Sequence, residues 1–300
     1  MIFSRHLLGM LCRYSKRAEA ALEKREGVKP VLRWAGGKRR LVHRLVKLLP
    51  REWNTYVEPM AGGAALFFYL GPRRALLADI NPDLINFYRI LKSDTSHLVS
   101  RLASLHASRA LYYKMRDKKP KSKLGRAVRF AYLNRLCWNG LHRVNRGGSF
   151  NVPIGDRRPK KLWDPQALYQ AAELLQNAEL LNADFETTLQ CLKGGDFAFI
   201  DPPYPRGSQG GTGFNKFHED FFAAEDHKRL GKALRELSRR DVLLMITLSA
   251  SSRILKHYPA FLTRHYLNGK SLMSAQRESR RTVREVILTN YDPDDQKAAS

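Results

Sequence analysis

Asp196-Phe197-Ala198-Phe199-Ile200-Asp201-Pro202-Pro203-Tyr204 is the stretch whose reading decides the fold. A run of apolar, β-favouring residues leads into an acid, two prolines and an aromatic. A short apolar run bounded in this way reads as a buried strand. Prolines lack the N–H that a strand ladder needs, so Pro202 and Pro203 end it. Asp201 and Tyr204 then stand at the carboxyl end of a buried strand, where open α/β sheets put their ligands.

A carboxylate and a proline carbonyl held in a rigid turn offer two hydrogen-bond acceptors facing one point, and Tyr204 adds a flat π-face. That set suits the exocyclic amine of a nucleobase, with the acceptors gripping its hydrogens while the ring stacks on the tyrosine. A nitrogen held so can turn its lone pair out of the ring plane and attack an electrophilic carbon. The same residues also suit a plain strand-end turn with a solvated acid and a packed tyrosine. The rest of the chain must decide between them.

Composition narrows the choice. Three hundred residues with 43% hydrophobic content suffice for one large domain or two modest ones with a sizeable core. Lysine and arginine number 53 against 28 acids, a net charge of +25, and a balance so one-sided points to a polyanion, nucleic acid first. Cys12, Cys137 and Cys191 are odd in number, widely spaced and without a CxxC pair, so neither a disulfide framework nor a zinc site is expected. A reduced, cytoplasmic compartment fits that usage. The longest apolar runs, at 64–70 and 242–248, are far too short to span a bilayer, and residues 1–12 contain no secretory apolar region.

Outward from the central strand, the chain alternates α and β. Residues 11–26 read as a charged, solvated helix in a basic extension, residues 1–29. Pro30-Val31-Leu32-Arg33-Trp34-Ala35-Gly36-Gly37-Lys38 precedes a helical pattern at 41–49, and its glycines let backbone N–H groups approach an anion. It is not a Walker loop, because Leu32 and Arg39 stand where glycine and a hydroxyl residue belong. A strand at 55–58 turns through Glu58-Pro59-Met60-Ala61-Gly62-Gly63-Ala64 into a helix at 65–70, and a second strand ends in Asp79-Ile80-Asn81. Such a turn lets a nucleoside lie against backbone while the downstream acid accepts from ribose hydroxyls, although any tight βα turn also uses glycine.

A helical stretch at 82–105 is followed by a basic run at 114–129, with eight lysines and arginines against Asp117. This run reads either as a solvated face or as a phosphate-contacting surface. A helix at 126–137 leads into Trp138-Asn139-Gly140-Leu141-His142-Arg143-Val144-Asn145-Arg146-Gly147-Gly148-Ser149-Phe150-Asn151-Val152-Pro153-Ile154-Gly155. Gly147-Gly148 between β-like runs reads as a hairpin. Its Asn and Arg side chains are those that read adenine and guanine edges in a major groove, or else it is a loop rich in turn formers. Helices at 165–177 and 224–237 and strands at 180–185, 242–247 and 284–288 complete the alternation. The 180–185 strand ends in Asp184 and Phe185, a plausible adenine clamp, and the glycine-rich stretch at 205–217 reads as a mobile lid. Arg277, Arg280, Arg281 and Arg284 add a second basic face.

In this order the pieces resemble the Dam-type DNA adenine N6-methyltransferases, the D12 class, over residues 30–293. The resemblance rests on Arg-Trp-Ala-Gly-Gly-Lys, Glu-Pro-Met-Ala-Gly-Gly, Ala-Asp-Ile-Asn, the Asn-Gly-Leu-His-Arg-Val-Asn…Phe-Asn-Val-Pro-Ile-Gly ribbon, Asp-Pro-Pro-Tyr and the Arg-rich segment before the last strand. It implies a Rossmann-like α/β sheet with an inserted helical and β-hairpin DNA-recognition domain. The catalytic domain is then 30–94 and 163–293, the recognition domain 95–162, and 294–300 a tail. S-adenosylmethionine is implied as methyl donor and duplex DNA as partner, with no metal and no membrane, for a monomer acting in the cytoplasm.

By the same resemblance Asp201, Pro202 and Tyr204 are catalytic. Trp34, Gly37, Lys38, Glu58, Gly62, Asp79, Asp184, Phe185 and Asp201 face the cofactor, and Asn139, Leu141, Arg143, Asn145, Asn151 and Pro153 face DNA. Two positions depart from the family. Met60 and Ala64 replace the usual aromatic and glycine of the turn, and Asp156 replaces the basic residue that follows the ribbon in relatives reading GATC, leaving the target sequence open. Transfer to N4 of cytosine and a DNA-binding scaffold without catalysis are the rival readings.

Overall fold

The computed structural model describes residues 27–145, 147–156, 159, 161–203, 222–270 and 282–293. Seven strands form one sheet: β1 (Tyr56–Glu58), β2 (Ala75–Asp79), β3 (Ala178–Asn182), β4 (Phe197–Ile200), β5 (Leu243–Ser249), β6 (Thr263–Lys270) and β7 (Thr282–Thr289). Their order is β3-β2-β1-β4-β5-β7-β6. The first five run parallel, and β7 is antiparallel to both β5 and β6. Strand order reverses between β1 and β4, which opens a crevice above the carboxyl ends of those two strands.

Burial on both faces explains why the strands read as continuous apolar runs. In β4, Phe197 and Phe199 enter one core while Ala198 and Ile200 enter the other. In β5, Leu244, Ile246 and Leu248 join the second core and Met245 the first. Asp196 stands just before β4 as a buried turn-holder, its two oxygens accepting from Thr55 N at 3.1 Å and Lys193 N at 2.9 Å.

The described helices are α1 (Val42–Leu45), α2 (Ala65–Leu70), α3 (Pro82–Ser93), α4 (Thr95–Ala103), α5 (Arg109–Asp117), α6 (Lys123–Leu136), α7 (Pro165–Leu175), α8 (Phe185–Gln190), α9 (Ala224–Arg239) and α10 (Ser252–Leu255). Several depart from the sequence reading. The helical stretch at 82–105 is two helices, because Asp94 leaves the helical region at φ −144. The pattern at 41–49 yields only α1 between two 3-10 turns, Lys38–Arg40 and Val46–Leu48. Ser122 starts α6 earlier than 126, its hydroxyl accepting from Gly125 N at 3.0 Å. Edge strand β6 escaped detection because its residues alternate weakly and Tyr266 is exposed.

Helices α4, α5 and α6 share the core of the sheet. Leu98, Tyr112, Phe130 and Tyr132 belong to the same apolar cluster as Phe67, Phe87 and Tyr88. Tyr112 Oη donates to Val152 O at 2.9 Å, tying α5 to the end of the ribbon. No helix among the described residues is long and apolar enough to cross a membrane. The charged helix at 11–26, Tyr204, the glycine-rich stretch at 205–217, Arg277, Arg280, Arg281 and residues 294–300 lie outside the described residues.

Candidate active site at the carboxyl edge of the sheet

Asp201 directly follows β4 and is about one-fifth exposed (22%), while its partner Lys38 is buried at 5%. Lys38 Nζ lies 2.6 Å from Asp201 Oδ1 and also donates to Gly36 O at 2.9 Å. Thr247 Oγ1, wholly buried on neighbouring β5, donates to the same Asp201 oxygen at 2.6 Å. One carboxylate oxygen is thus filled from two sides. The other, Oδ2, accepts from nothing among the described residues. Pro202 is buried behind it and Pro203 is exposed.

The glycine turn after β1 is fixed just as tightly. Gly62, at φ +48, donates from its N to Asp79 Oδ2 at 3.0 Å, and its carbonyl accepts from Tyr88 Oη at 2.8 Å. A Cβ on Gly62 would fall 2.6 Å from Trp34 Nε1, and one on Gly63 3.0 Å from Trp34 Cβ, so the indole lies directly on this turn. Only glycine permits that approach. Gly37 N donates to Trp34 O at 3.1 Å, closing the loop that carries Lys38. Asp79 spends its other oxygen on Asn81 N at 2.9 Å, and burial raises its pKa against those two bonds.

Glu58 lies beneath the turn. It is 2% exposed and accepts through Oε1 from Tyr56 Oη at 2.5 Å and Phe67 N at 3.0 Å. Burial pushes its pKa up to about 8, against the lowering effect of those bonds. The structure therefore makes Glu58 a buried support for the turn rather than a group at the crevice surface.

At the end of β3 the sequence reading needs correction. The strand stops at Asn182, and Asp184 is the N-cap of α8, its Oδ1 accepting from Glu186 N at 2.9 Å. An acid that caps a helix cannot also continue a ladder. Phe185 is buried, with its ring beside Phe222 and under the guanidinium of Arg229, 4.8 Å from ring centroid to carbon. The exposed apolar group here is Ile80, 71% accessible, whose carbonyl accepts from Asn182 Nδ2 at 3.0 Å.

The ribbon closes as a short hairpin, with Asn145 N donating to Ser149 O at 2.9 Å, Gly148 N to Asn145 O at 2.9 Å and Asn151 N to Arg143 O at 3.1 Å. A single antiparallel bridge joins Val144 to Phe150, and another joins Cys137 to Ile154. Arg143 Nε donates to Asn151 Oδ1 at 2.7 Å and Nη2 to Asn151 O at 3.3 Å. Asn145 Oδ1 accepts from Ser149 N at 2.9 Å. Side-chain bonds thus reinforce the backbone pairing on either side of the Val144–Phe150 bridge. Asn139, at φ 52, and Pro153 are exposed, and Leu141 is half-buried. In the basic run, Arg129 is not a free surface cation, since it donates to Met115 O and Arg116 O at the end of α5.

Two contacts tie the opening loop to α6 and to the ribbon. The side chain of buried Asn134, on α6, accepts from Arg33 N at 2.9 Å and donates to Arg33 O at 2.7 Å. His142 stacks on Trp34, centroids 6.4 Å apart and planes 15° from parallel, and packs on Phe150. Among the described residues, no group of three or more His, Cys, Asp or Glu side chains is arranged to hold a metal ion.

Against known proteins, the chain matches the D12 class N6 adenine-specific DNA methyltransferase family over residues 34–275. The chain belongs to that family. Type II methyltransferase M1.LlaDCHI of Lactococcus lactis subsp. cremoris is 32% identical over 274 residues, 88% of this chain and 96% of that protein. Type II methyltransferase M.MjaIII of Methanocaldococcus jannaschii is 32% identical over 289 residues, covering 88% and 99%. The DNA adenine methylase of Escherichia coli K12 is 32% identical over 269 residues, covering 87% and 95%.

This D12 methyltransferase is an enzyme of the adenine-specific DNA class on a Rossmann-like α/β sheet. Four of its residues at or beside the crevice carried no sequence signal: Thr247, Tyr88, Asn134 and Arg229 act through partners distant in the chain. The departures have places too. Met60 is half-buried, Ala64 holds a left-handed backbone at φ 47, and Asp156 is exposed.

Proposed function

We propose that the chain transfers a methyl group from S-adenosylmethionine to N6 of an adenine flipped out of duplex DNA, with Asp201 as the acceptor for that amine. The observation that carries this is the fixed carboxylate after β4, with Oδ1 held by Lys38 and Thr247, which leaves Oδ2 for the amine. The residues present suit the donor. Asp79 keeps lone pairs for a ribose diol, Asp184 offers a carboxylate oxygen, and Ile80 gives an apolar face beside them. When bound, the donor supplies an electrophilic methyl group.

Asp201 accepts from N6–H and stabilises the positive charge that grows on the amine, an electrostatic contribution fixed before the reaction begins. Lys38 and Thr247 keep that carboxylate from turning away. Pro202 places its carbonyl as second acceptor, and Tyr204 stacks on the extruded base. Flipping costs a few kcal/mol, of which stacking offsets about 1–3 kcal/mol. Residues 95–162 form the recognition region, and Arg143, Asn145 and Asn151 read base edges there. The protein acts as a monomer in the cytoplasm.

Duplex DNA treated with the chain and S-adenosylmethionine, digested to nucleosides and analysed by mass spectrometry, tests the reading. N6-methyladenine from the native chain and none from Asp201→Ala is the expected pair of results. N4-methylcytosine, or an active Asp201→Ala, overturns it.

A further inference from the structure

Past the end of β3, one arginine gathers three carboxylates. Arg229, on α9, donates through Nη2 to Asp184 Oδ1 at 2.9 Å and through Nη1 to Asp226 Oδ1 at 2.9 Å. Its Nε and Nη2 donate to Glu186 Oε2 at 3.0 and 2.7 Å. The same guanidinium lies over the ring of Phe185. Bonds to Glu186 first, then to Asp226 and Asp184, hold its pKa above the ordinary arginine value. A planar fork of five donors can meet three acids and cover a ring at once, whereas a lysine brings one point charge.

The fork decides what Asp184 can present. Its Oδ1 is filled twice, by Glu186 N and by Arg229 Nη2, so the carboxylate cannot rotate without breaking both bonds. Its Oδ2 accepts from nothing among the described residues, and the side chain is about one-third exposed (34%). Ile80 stands one residue past β2, beside the end of β3, with most of its side chain open. A fixed acceptor beside an open aliphatic face is the chemistry that recognises a flat ring bearing an exocyclic N–H.

We propose that Arg229 sets the cofactor specificity of this enzyme by locking Asp184, so that an adenine ring is accepted and its 6-oxo counterpart refused. This rests on the reading that Asp184 faces the adenine of the donor. A locked carboxylate oxygen accepts from the 6-amino group and repels a 6-carbonyl, which has no hydrogen to give. Arg229 touches no reacting atom and is a positioning residue. Freed of the fork, Asp184 can swing and take a solvent bond instead, and discrimination falls while the rest of the cofactor site is intact.

Calorimetry on the full chain with S-adenosylhomocysteine and S-inosylhomocysteine reads this out as a ratio of affinities. The native chain should prefer the adenosyl compound by about tenfold or more, the scale of one hydrogen bond to a charged group. Arg229→Gln and Arg229→Lys should lose most of that preference through weaker binding of the adenosyl compound, with the inosyl affinity changed by no more than about twofold. The lysine variant keeps a cation among the three acids, so it supplies the measurement where the glutamine variant unfolds on heating. A general loss of packing would weaken both ligands alike and leave the ratio intact. If Arg229→Lys keeps the full preference while Asp184→Asn loses it, Arg229 has no such role although Asp184 does face the adenine. If the native chain shows no preference, or Asp184→Asn keeps it, the reading of Asp184 fails and takes this proposal with it.

Discussion

The end of β4 and the ribbon at 139–155 both carry polar side chains on irregular backbone, but they spend their hydrogen bonds differently. At β4 the bonds come from outside: Asp201 is held by Lys38 of the opening loop and Thr247 of the adjacent strand. In the ribbon they are internal, with Arg143 on Asn151 and Asn145 on Ser149. An acceptor held by distant elements is in place before substrate arrives, which is what electrostatic catalysis needs. On the proposed reading, ribbon side chains already bonded within the ribbon trade those bonds for base edges when DNA binds. Chemistry here is preorganised, and recognition is exchanged.

The largest effect expected from breaking that contrast is at Asp201. Asp201→Ala should take methylation below detection, a loss of at least roughly 10²–10³-fold, with duplex affinity in a gel-shift assay nearly unchanged. Comparable loss of both would mean the acid holds the fold rather than the reaction.

Next is the floor of the site. Glu58 has its pKa raised from 4.5 to about 8, so between those values the folded chain binds a proton that the unfolded chain has released. Its stabilising contribution is full below about pH 4.5, falls as pH rises through about 8, and is flat above that. The swing is on the order of 5 kcal/mol at most. Thermal melts of native chain and Glu58→Gln across pH 5–9 should diverge with rising pH, the variant showing the shallower decline. Parallel curves would show that Glu58 titrates normally.

Arg143→Ala should cost about 1–3 kcal/mol in binding to the target sequence and much less on unrelated duplex. An equal loss on both would make Arg143 a phosphate contact. Thr247→Val removes one of the two outside bonds to Asp201, and about a tenfold lower kcat with KM unchanged is expected, on the scale of one hydrogen bond to a charged group. Thr247→Ser should restore it. The smallest effect is at Asn151→Ala, where a few-fold change in affinity, on the scale of one surface bond, would show how much of Arg143's orientation the ribbon itself provides.

What could be read in the sequence follows the same divide. Strand β4 and its proline stop, the glycine turn and the acid ending β2 were legible because each depends on neighbours within a few residues. Lys38 was visible as a site residue, but its pairing with Asp201 was not, since the partners are 163 positions apart in chain order and meet only through the sheet. Thr247 gave no signal inside an apolar strand, and Arg229 looked like any charge on an amphipathic helix. The strand drawn through Asp184 failed because Asp184 serves both as an acid after a strand and as a helix cap, and the cap won. Edge strand β6 lacks the double burial that marks the inner strands.

Ala64 keeps a methyl group in left-handed backbone, 1% exposed, at the sharpest bend of the turn after β1. L-residues bear about 1–2 kcal/mol for that geometry, and glycine does not. The bend persists because Ala64 N is bonded to Ala61 O at 2.7 Å and Ala64 O receives Phe68 N at 3.0 Å. A selection for heat resistance in this chain should therefore recover Ala64→Gly early, a gain reached by trading a methyl group for a hydrogen rather than by adding a contact.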